Sequence, residues 1–183
     1  MKGIVFTEFL EMVESRMGLP MVDQIIDTAD LTNDGAYTSV GTYDHHELIK
    51  LTVALSKATA IPVPDLVRLF GEHLFQRFGI SHPRFFTGVN STFDFLKNIE
   101  NYIHVEVRKL YPDAELPNFR YENTNPQELV VIYRSPRQFG DLAEGLIRGC
   151  IAYFKEPIVL TRTDLPPIEG DQQVRFHLAL QAS

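Results

Sequence analysis

Through about Leu110 the apolar residues of this chain recur at helical spacing; beyond it they alternate in short runs. Ile4, Phe6, Phe9, Leu10, Met12 and Val13 make the stripe of a first helix, with charges opposite, and Gly18-Leu19-Pro20 stops it. A second short helix follows through about Thr28. Asp44-His45-His46-Glu47 opens a third, running to about Ala60 with Leu48, Leu51, Val53 and Leu55 inward, and the Asp44/Glu47 spacing predicts a capping box. A fourth begins near Pro64, a residue suited to a first turn, carries Leu66, Leu69, Phe70, Leu74 and Phe75 towards Phe78, and ends at Gly79. From Thr92 to Leu110, the residues Phe93, Leu96, Ile99, Ile103, Val107 and Leu110 predict a single helix that Tyr111-Pro112 breaks.

The later pattern predicts strands over about Asn118–Tyr121, Glu128–Arg134, Ile158–Thr161 and Val174–Ala179, with one helix over Gly140–Phe154 between the two pairs. Helices first and a small antiparallel sheet with an embedded helix afterwards make the class α+β. With no repeat and no Pro/Gly-rich linker, residues 1–183 read as one domain, and a chain of 183 residues is long enough to bury a sizeable core. Within it, a helical part of about 1–62 precedes a second part of about 63–183.

Composition narrows the function classes. Lys and Arg total 17 against 24 Asp and Glu, and no basic stripe could track a phosphate backbone, so nucleic acid is excluded as a partner. Glu8 and Glu11 interrupt the apolar N-terminal stretch, which is then neither a signal-peptide core nor a membrane span. Cys150 is the only cysteine; it reads as a small core residue in a reducing compartment, and the expected location is the cytoplasm.

The six histidines offer no zinc site, since no HExxH or CxxC pair is present. His45 and His46 are adjacent, so on a helix they point about 100° apart and read as solvated first-turn residues. His82 precedes Pro83 in a turn, and His73 and His177 lack a partner at ligand spacing. His104 lies roughly 90° from the middle of its helix's apolar stripe, where spacing alone favours an ordinary core-edge histidine. Tyr133, Ser135 and Arg137 would share one strand face if the strand runs through Pro136, joining two hydroxyls to a guanidinium fork suited to carboxylates. Taken alone, this YxSxR pattern also describes many exposed strand faces. No nucleophile with a His and a carboxylate at recognisable spacing and no glycine-rich phosphate loop appear, so the chain does not read as an enzyme.

Several blocks occur together in order: Met1-Lys2-Gly3-Ile4, the stretch from His104 through Tyr111-Pro112 to Pro117 and Phe119, Tyr133/Ser135/Arg137, and Gly145-Leu146-Ile147 with Gly149. In this combination, over nearly its full length, the chain resembles the H-NOX (haem nitric oxide/oxygen binding) family, the bacterial relatives of the haem domain of soluble guanylate cyclase. The resemblance implies haem b buried between the helical part and the sheet, with His104 as the sole protein ligand to iron and Tyr133, Ser135 and Arg137 on the propionates. Pro117 would press on the porphyrin, and Ile4, Leu74, Phe78, Leu142 and Leu146 would approach its distal or flanking surface. Oxygen-holding relatives carry a tyrosine at the position of Leu142; leucine has no proton to donate, which implies a sensor that binds nitric oxide and carbon monoxide and excludes oxygen. Its signal would pass, through release of the Fe–His104 bond, to a separate partner such as a histidine kinase or a cyclic-di-GMP synthase or hydrolase. The alternative is a haem-free module whose YxSxR face binds an anionic ligand or a protein.

Overall fold

The computed structural model describes residues 1–181, and within the first strand the backbone but not the side chains of Asn123 and Thr124. Four helices come first: α1 (Gly3–Met17), α2 (Leu19–Thr28), α3 (His45–Thr59) and α4 (Val63–Ser81). A 3-10 turn at Pro83–Phe86 leads to α5 (Thr92–Asn98), a π turn (Ile99–Ile103) and α6 (His104–Leu110). Strands β1 (Asn118–Asn125) and β2 (Glu128–Ser135), helix α7 (Gly140–Phe154), and strands β3 (Ile158–Ile168) and β4 (Asp171–Leu180) complete the fold. The sheet is antiparallel in the order β1-β2-β4-β3, so the α+β expectation holds. No helix among the described residues is long and apolar enough to cross a membrane.

Several local expectations are corrected. Gly79 does not end α4; the helix runs to Ser81 and stops at His82, whose backbone has left the helical region (φ −131°, ψ 58°) ahead of Pro83, since a following proline disfavours helical backbone. The capping box at α3 is half formed. Asp44 Oδ1 accepts the His46 backbone N–H at 3.0 Å, but Glu47 turns inward, where its carboxylate accepts from Tyr37 Oη at 3.2 Å and from the Thr32 backbone N–H at 3.3 Å. Nor do His45 and His46 diverge. Both rings are drawn to the Asp44 carboxylate, at 3.3 and 2.8 Å, and their centroids lie 4.1 Å apart.

The single helix expected over Thr92–Leu110 is interrupted by the π turn, in which the His104 N–H reaches back to the Ile99 carbonyl. A π turn lengthens the hydrogen-bonded ring from i→i+4 to i→i+5 and so rotates everything after it relative to an unbroken helix. Strands β3 and β4 are longer than the alternation implied. Pro166 and Pro167 are tolerated because β3 is an edge strand, where no further strand needs the missing N–H.

Two apolar clusters organise the packing. Phe6, Phe9, Met12, Ile25, Leu51, Leu55, Leu66 and Phe70 centre the first, which unites α1 to α4. Leu129, Val131, Val174, Phe176 and Leu178 of the sheet face Ala143, Ile147 and Cys150 of α7 in the second. Helix α4 belongs to both: Leu66, Phe70 and Leu74 face the first and Phe75 the second.

Glycines set the α4–α7 crossing. A Cβ on Gly145 would lie 2.1 Å from the Arg68 carbonyl oxygen, and one on Gly71 2.6 Å from that of Leu142. Only hydrogen side chains permit this approach, which brings the first turns of α7 against the middle of α4. Beside the crossing, Arg162 of β3 reaches Asp141 at 2.6 Å and Glu144 at 3.2 Å, and Arg68 of α4 reaches Asp141 at 2.8 Å.

Candidate functional site

Between the two clusters lies a cavity of about 470 Å³, within the size range of small-molecule pockets. Every residue singled out from the sequence lines it: Ile4, Leu74, Phe78, His104, Pro117, Tyr133, Ser135, Arg137, Leu142 and Leu146. One wall is apolar. Ile4 and Val5 of α1, Leu74, Phe75 and Phe78 of α4, and Leu142, Ala143, Leu146 and Ile147 of α7 supply it.

The chain's start is clamped so that Ile4 reaches this wall. The Met1 ammonium donates to the Tyr43 carbonyl at 2.7 Å, and the Gly3 N–H donates to the Gly41 carbonyl at 2.8 Å. Gly3 is required for the clamp, since a Cβ there would lie 1.8 Å from the Thr38 carbonyl oxygen. Lys2 extends the clamp across to the opposite wall, reaching Asp113 at 2.9 Å in the loop that carries Pro117.

His104 opens α6 on that opposite wall and is 7% exposed, deeper than the edge position its spacing implied. The extra residue of the π turn accounts for the rotation. Its Nδ1 faces the Glu100 carboxylate at 3.3 Å, longer than a well-formed N–H···O bond, and no other polar atom satisfies it. With Nδ1 turned towards Glu100 on this side, Nε2 is the nitrogen left for the cavity. Burial pulls the His104 pKa down, and Glu100 only partly offsets this, so the ring is neutral near pH 7 and keeps a lone pair for a metal.

Strand β2 ends at Ser135, so the expected common strand face does not extend to Arg137. Convergence comes instead from the turn at Pro136, where Ser135 Oγ accepts the Arg137 backbone N–H at 3.2 Å. Tyr133, 2% exposed, accepts the Phe139 backbone N–H on its hydroxyl at 3.1 Å. In both cases the oxygen accepts from the backbone, and the hydroxyl proton remains for another acceptor. Arg137 closes its guanidinium on the Glu115 carboxylate and donates to the Glu115 carbonyl at 3.4 Å. This fork is thus placed and oriented to hold a carboxylate at the cavity rim.

Sequence reasoning did not find Glu100 or Glu115, nor the aromatic lining from Phe85, Phe86, Phe95 and Phe139. Glu100 had a readable signal, the i, i+4 spacing from His104. Glu115 had none, because its partner is 22 residues away across a loop.

The Haem-NO-binding family model matches residues 2–162. Among solved structures, the H-NOX protein of K. algicida in the unliganded Fe(II) state is 38% identical, covers 100% of this chain and 98% of its own, and superposes with a TM-score of 0.91. The Shewanella woodyi H-NOX, solved in solution with IWP-051 bound and in the Fe(II)CO state, is 40% identical over 99% of this chain and 95% of its own, with a TM-score of 0.83. The S. oneidensis H-NOX in the Fe(II)NO state is 25% identical, covers 100% of both chains and gives a TM-score of 0.88. No curated protein relative matches. With a cavity that gathers the predicted residues, a family model spanning most of the chain and structures alike over their whole length, this chain belongs to the Haem-NO-binding (H-NOX) family.

Proposed function

We propose that the cavity holds haem b and that the chain is a nitric oxide sensor, with His104 as the iron ligand and Tyr133, Ser135 and Arg137 on the propionates. The observation that carries this reading is the pairing of opposites in one cavity. A buried neutral histidine stands on one wall, an apolar surface faces it, and a guanidinium that already takes a carboxylate guards the rim. These residues fit a flat apolar group with an iron centre and two carboxylates.

Haem held here would supply a ferrous iron able to bind a diatomic gas. The chain's own residues divide the remaining work. Tyr133, Ser135 and Arg137 would anchor the acidic edge, Pro117 would pack beside His104, and Ile4, Leu74, Phe78, Leu142 and Leu146, which line the same cavity, would form the gas-side and flanking surface. Leu142 and Leu74 offer no hydrogen to a bound ligand. Dioxygen, which depends on such a donor, is excluded, and nitric oxide and carbon monoxide are accepted.

Membership of the family makes the chain a sensor and not an enzyme, with a downstream signalling partner. We assign that partner to the histidine kinases or the cyclic-di-GMP synthases and hydrolases, and the location to the cytoplasm, where the buried thiol of Cys150 stays reduced. Output would run through His104, which opens α6 and would tie that helix to the bound group.

The test is the visible spectrum of the purified, reduced protein under nitrogen, in air, and with nitric oxide or carbon monoxide. A five-coordinate ferrous spectrum that is unchanged by brief exposure to air in reductant and shifts with either other gas is the expected result. A stable oxy complex overturns the exclusion of oxygen, and absence of a haem band overturns the whole reading. His104→Gly is expected to lose ferrous coordination and to regain it with added imidazole; a normal spectrum without imidazole refutes the ligand assignment.

A further inference from the structure

The Glu100 carboxylate stands directly behind the His104 ring, bonded to one N–H and close to a second. Its Oε1 accepts the Phe119 backbone N–H at 2.7 Å and lies 3.3 Å from His104 Nδ1. Phe119 is the second residue of β1, an edge strand, so this amide bond also satisfies a donor on the sheet's open side. The Phe119 ring lies 5.8 Å from the His104 ring and 5.8 Å from the Tyr133 ring, which places this start of β1 between the two ends of the cavity's polar side.

The unequal distances matter chemically. An outer carboxylate that takes a full hydrogen bond from a ligating imidazole fixes its tautomer and raises its basicity, which strengthens the metal bond. Here the carboxylate is committed to the strand and only leans on the imidazole. The π turn between Glu100 and His104 sets that spacing, and such turns gather at functional positions in helices.

We propose that Glu100 is a positioning residue that tunes the strength of the His104–iron bond and links its release to strand β1, by sharing one carboxylate oxygen between the imidazole and the Phe119 amide. This rests on the reading of His104 as the iron ligand. While His104 is held, Glu100 Oε1 stays with the Phe119 amide and only leans on Nδ1; when His104 is let go and its ring turns, the Nδ1–H draws that oxygen to itself and the bond to Phe119 weakens. The start of β1 is then the first backbone outside the His104 helix to register the event.

Two variants of the haem-loaded protein separate these roles. Glu100→Gln removes the charge but retains a carbonyl oxygen for Phe119, whereas Glu100→Ala removes both. In the unliganded ferrous protein, both are expected to move the Fe–His stretching band to lower frequency, and loss of the partner behind a ligating side chain weakens metal affinity about 10- to 100-fold. Hydrogen exchange at the Phe119 amide is expected to stay slow in Glu100→Gln and to become fast in Glu100→Ala. In the parent protein it is expected to quicken on adding nitric oxide.

An Fe–His band unchanged in Glu100→Gln overturns the tuning role, and Phe119 exchange indifferent to nitric oxide overturns the link to β1. Both outcomes presuppose a haem-loaded parent, so a parent without a haem band refutes the ligand reading and is told apart from either. Should Glu100→Gln fail to fold, Glu100→Asp keeps the charge at shorter reach and must shift the same band; an unchanged band there overturns the tuning role as well.

Discussion

Gly145→Ala tests the packing that builds the apolar wall, because two effects act on it with opposite sign. Alanine is the better helix former, by about 1 kcal/mol, so local propensity predicts a more stable protein. Against this, the new Cβ would begin 2.1 Å from the Arg68 carbonyl oxygen and 2.9 Å from the Gly71 Cα, both backbone atoms that no rotamer change can clear. To reach the 3.4 Å of ordinary contact, α7 must retreat from α4 by about 1.3 Å at the crossing. A gap of about 1 Å forfeits a quarter to a half of the dispersion attraction between facing atoms. It also loosens the Arg68–Asp141–Arg162 contacts that border the crossing. Overpacking of this kind costs about 1–3 kcal/mol; less the roughly 1 kcal/mol gained in propensity, a net loss of about 1 kcal/mol lowers Tm by about 2–4 °C in a chain of this size. Thermal unfolding followed by circular dichroism reads it directly. A Gly145→Ala protein that melts at or above the parent's temperature refutes the tight crossing, since helix propensity would then have won.

Other expectations follow from single contacts. Asp44→Ala removes the oxygen that caps α3 at the His46 amide and is expected to cost about 1 kcal/mol, a Tm about 2–4 °C lower; an unchanged Tm would mean that the cap contributes nothing. Leu142→Tyr places a phenol on the apolar wall of the cavity, and on the proposed reading one added hydrogen bond of about 1.5–3 kcal/mol is expected to raise oxygen affinity by tenfold or more, seen as a persistent oxy spectrum in air. If that variant still rejects oxygen, the missing donor is not what excludes it.

Acid sensitivity is expected from His73, whose Nε2 is buried 3.5 Å from Glu8. Burial holds its pKa below the ordinary 6.5, although Glu8 opposes the shift. The folded state therefore binds this proton less readily than the unfolded chain does. Its contribution is complete above about pH 6.5 and is lost as pH falls towards the lower folded value. Tm measured from about pH 7 to about pH 5 should fall less steeply in His73→Gln than in the parent; parallel curves would refute the assignment.

The element order and the α+β class were determined by local pattern: stripes such as Phe6, Phe9 and Val13, the alternation around Val131 and Tyr133, and stops such as Gly18-Leu19-Pro20 act through neighbours in sequence. The blocks that carry the family resemblance were equally readable, and every lining residue they named meets in one cavity. Where local rules failed, a distant partner had intervened. Glu47 abandons its own helix end for Tyr37 and Thr32, and Arg137 joins Tyr133 and Ser135 through a turn, not along a strand. His104 is the clearest case. Helical periodicity places it at the edge of a stripe, because periodicity assumes one unbroken helix. The π turn changes that register, and the carboxylate of Glu100 and the amide of Phe119 meet behind the ring only once β1 has packed against it. Sequence thus singles out His104 and the Tyr133/Ser135/Arg137 group, and tertiary packing decides how the His104 ring is turned and what stands behind it.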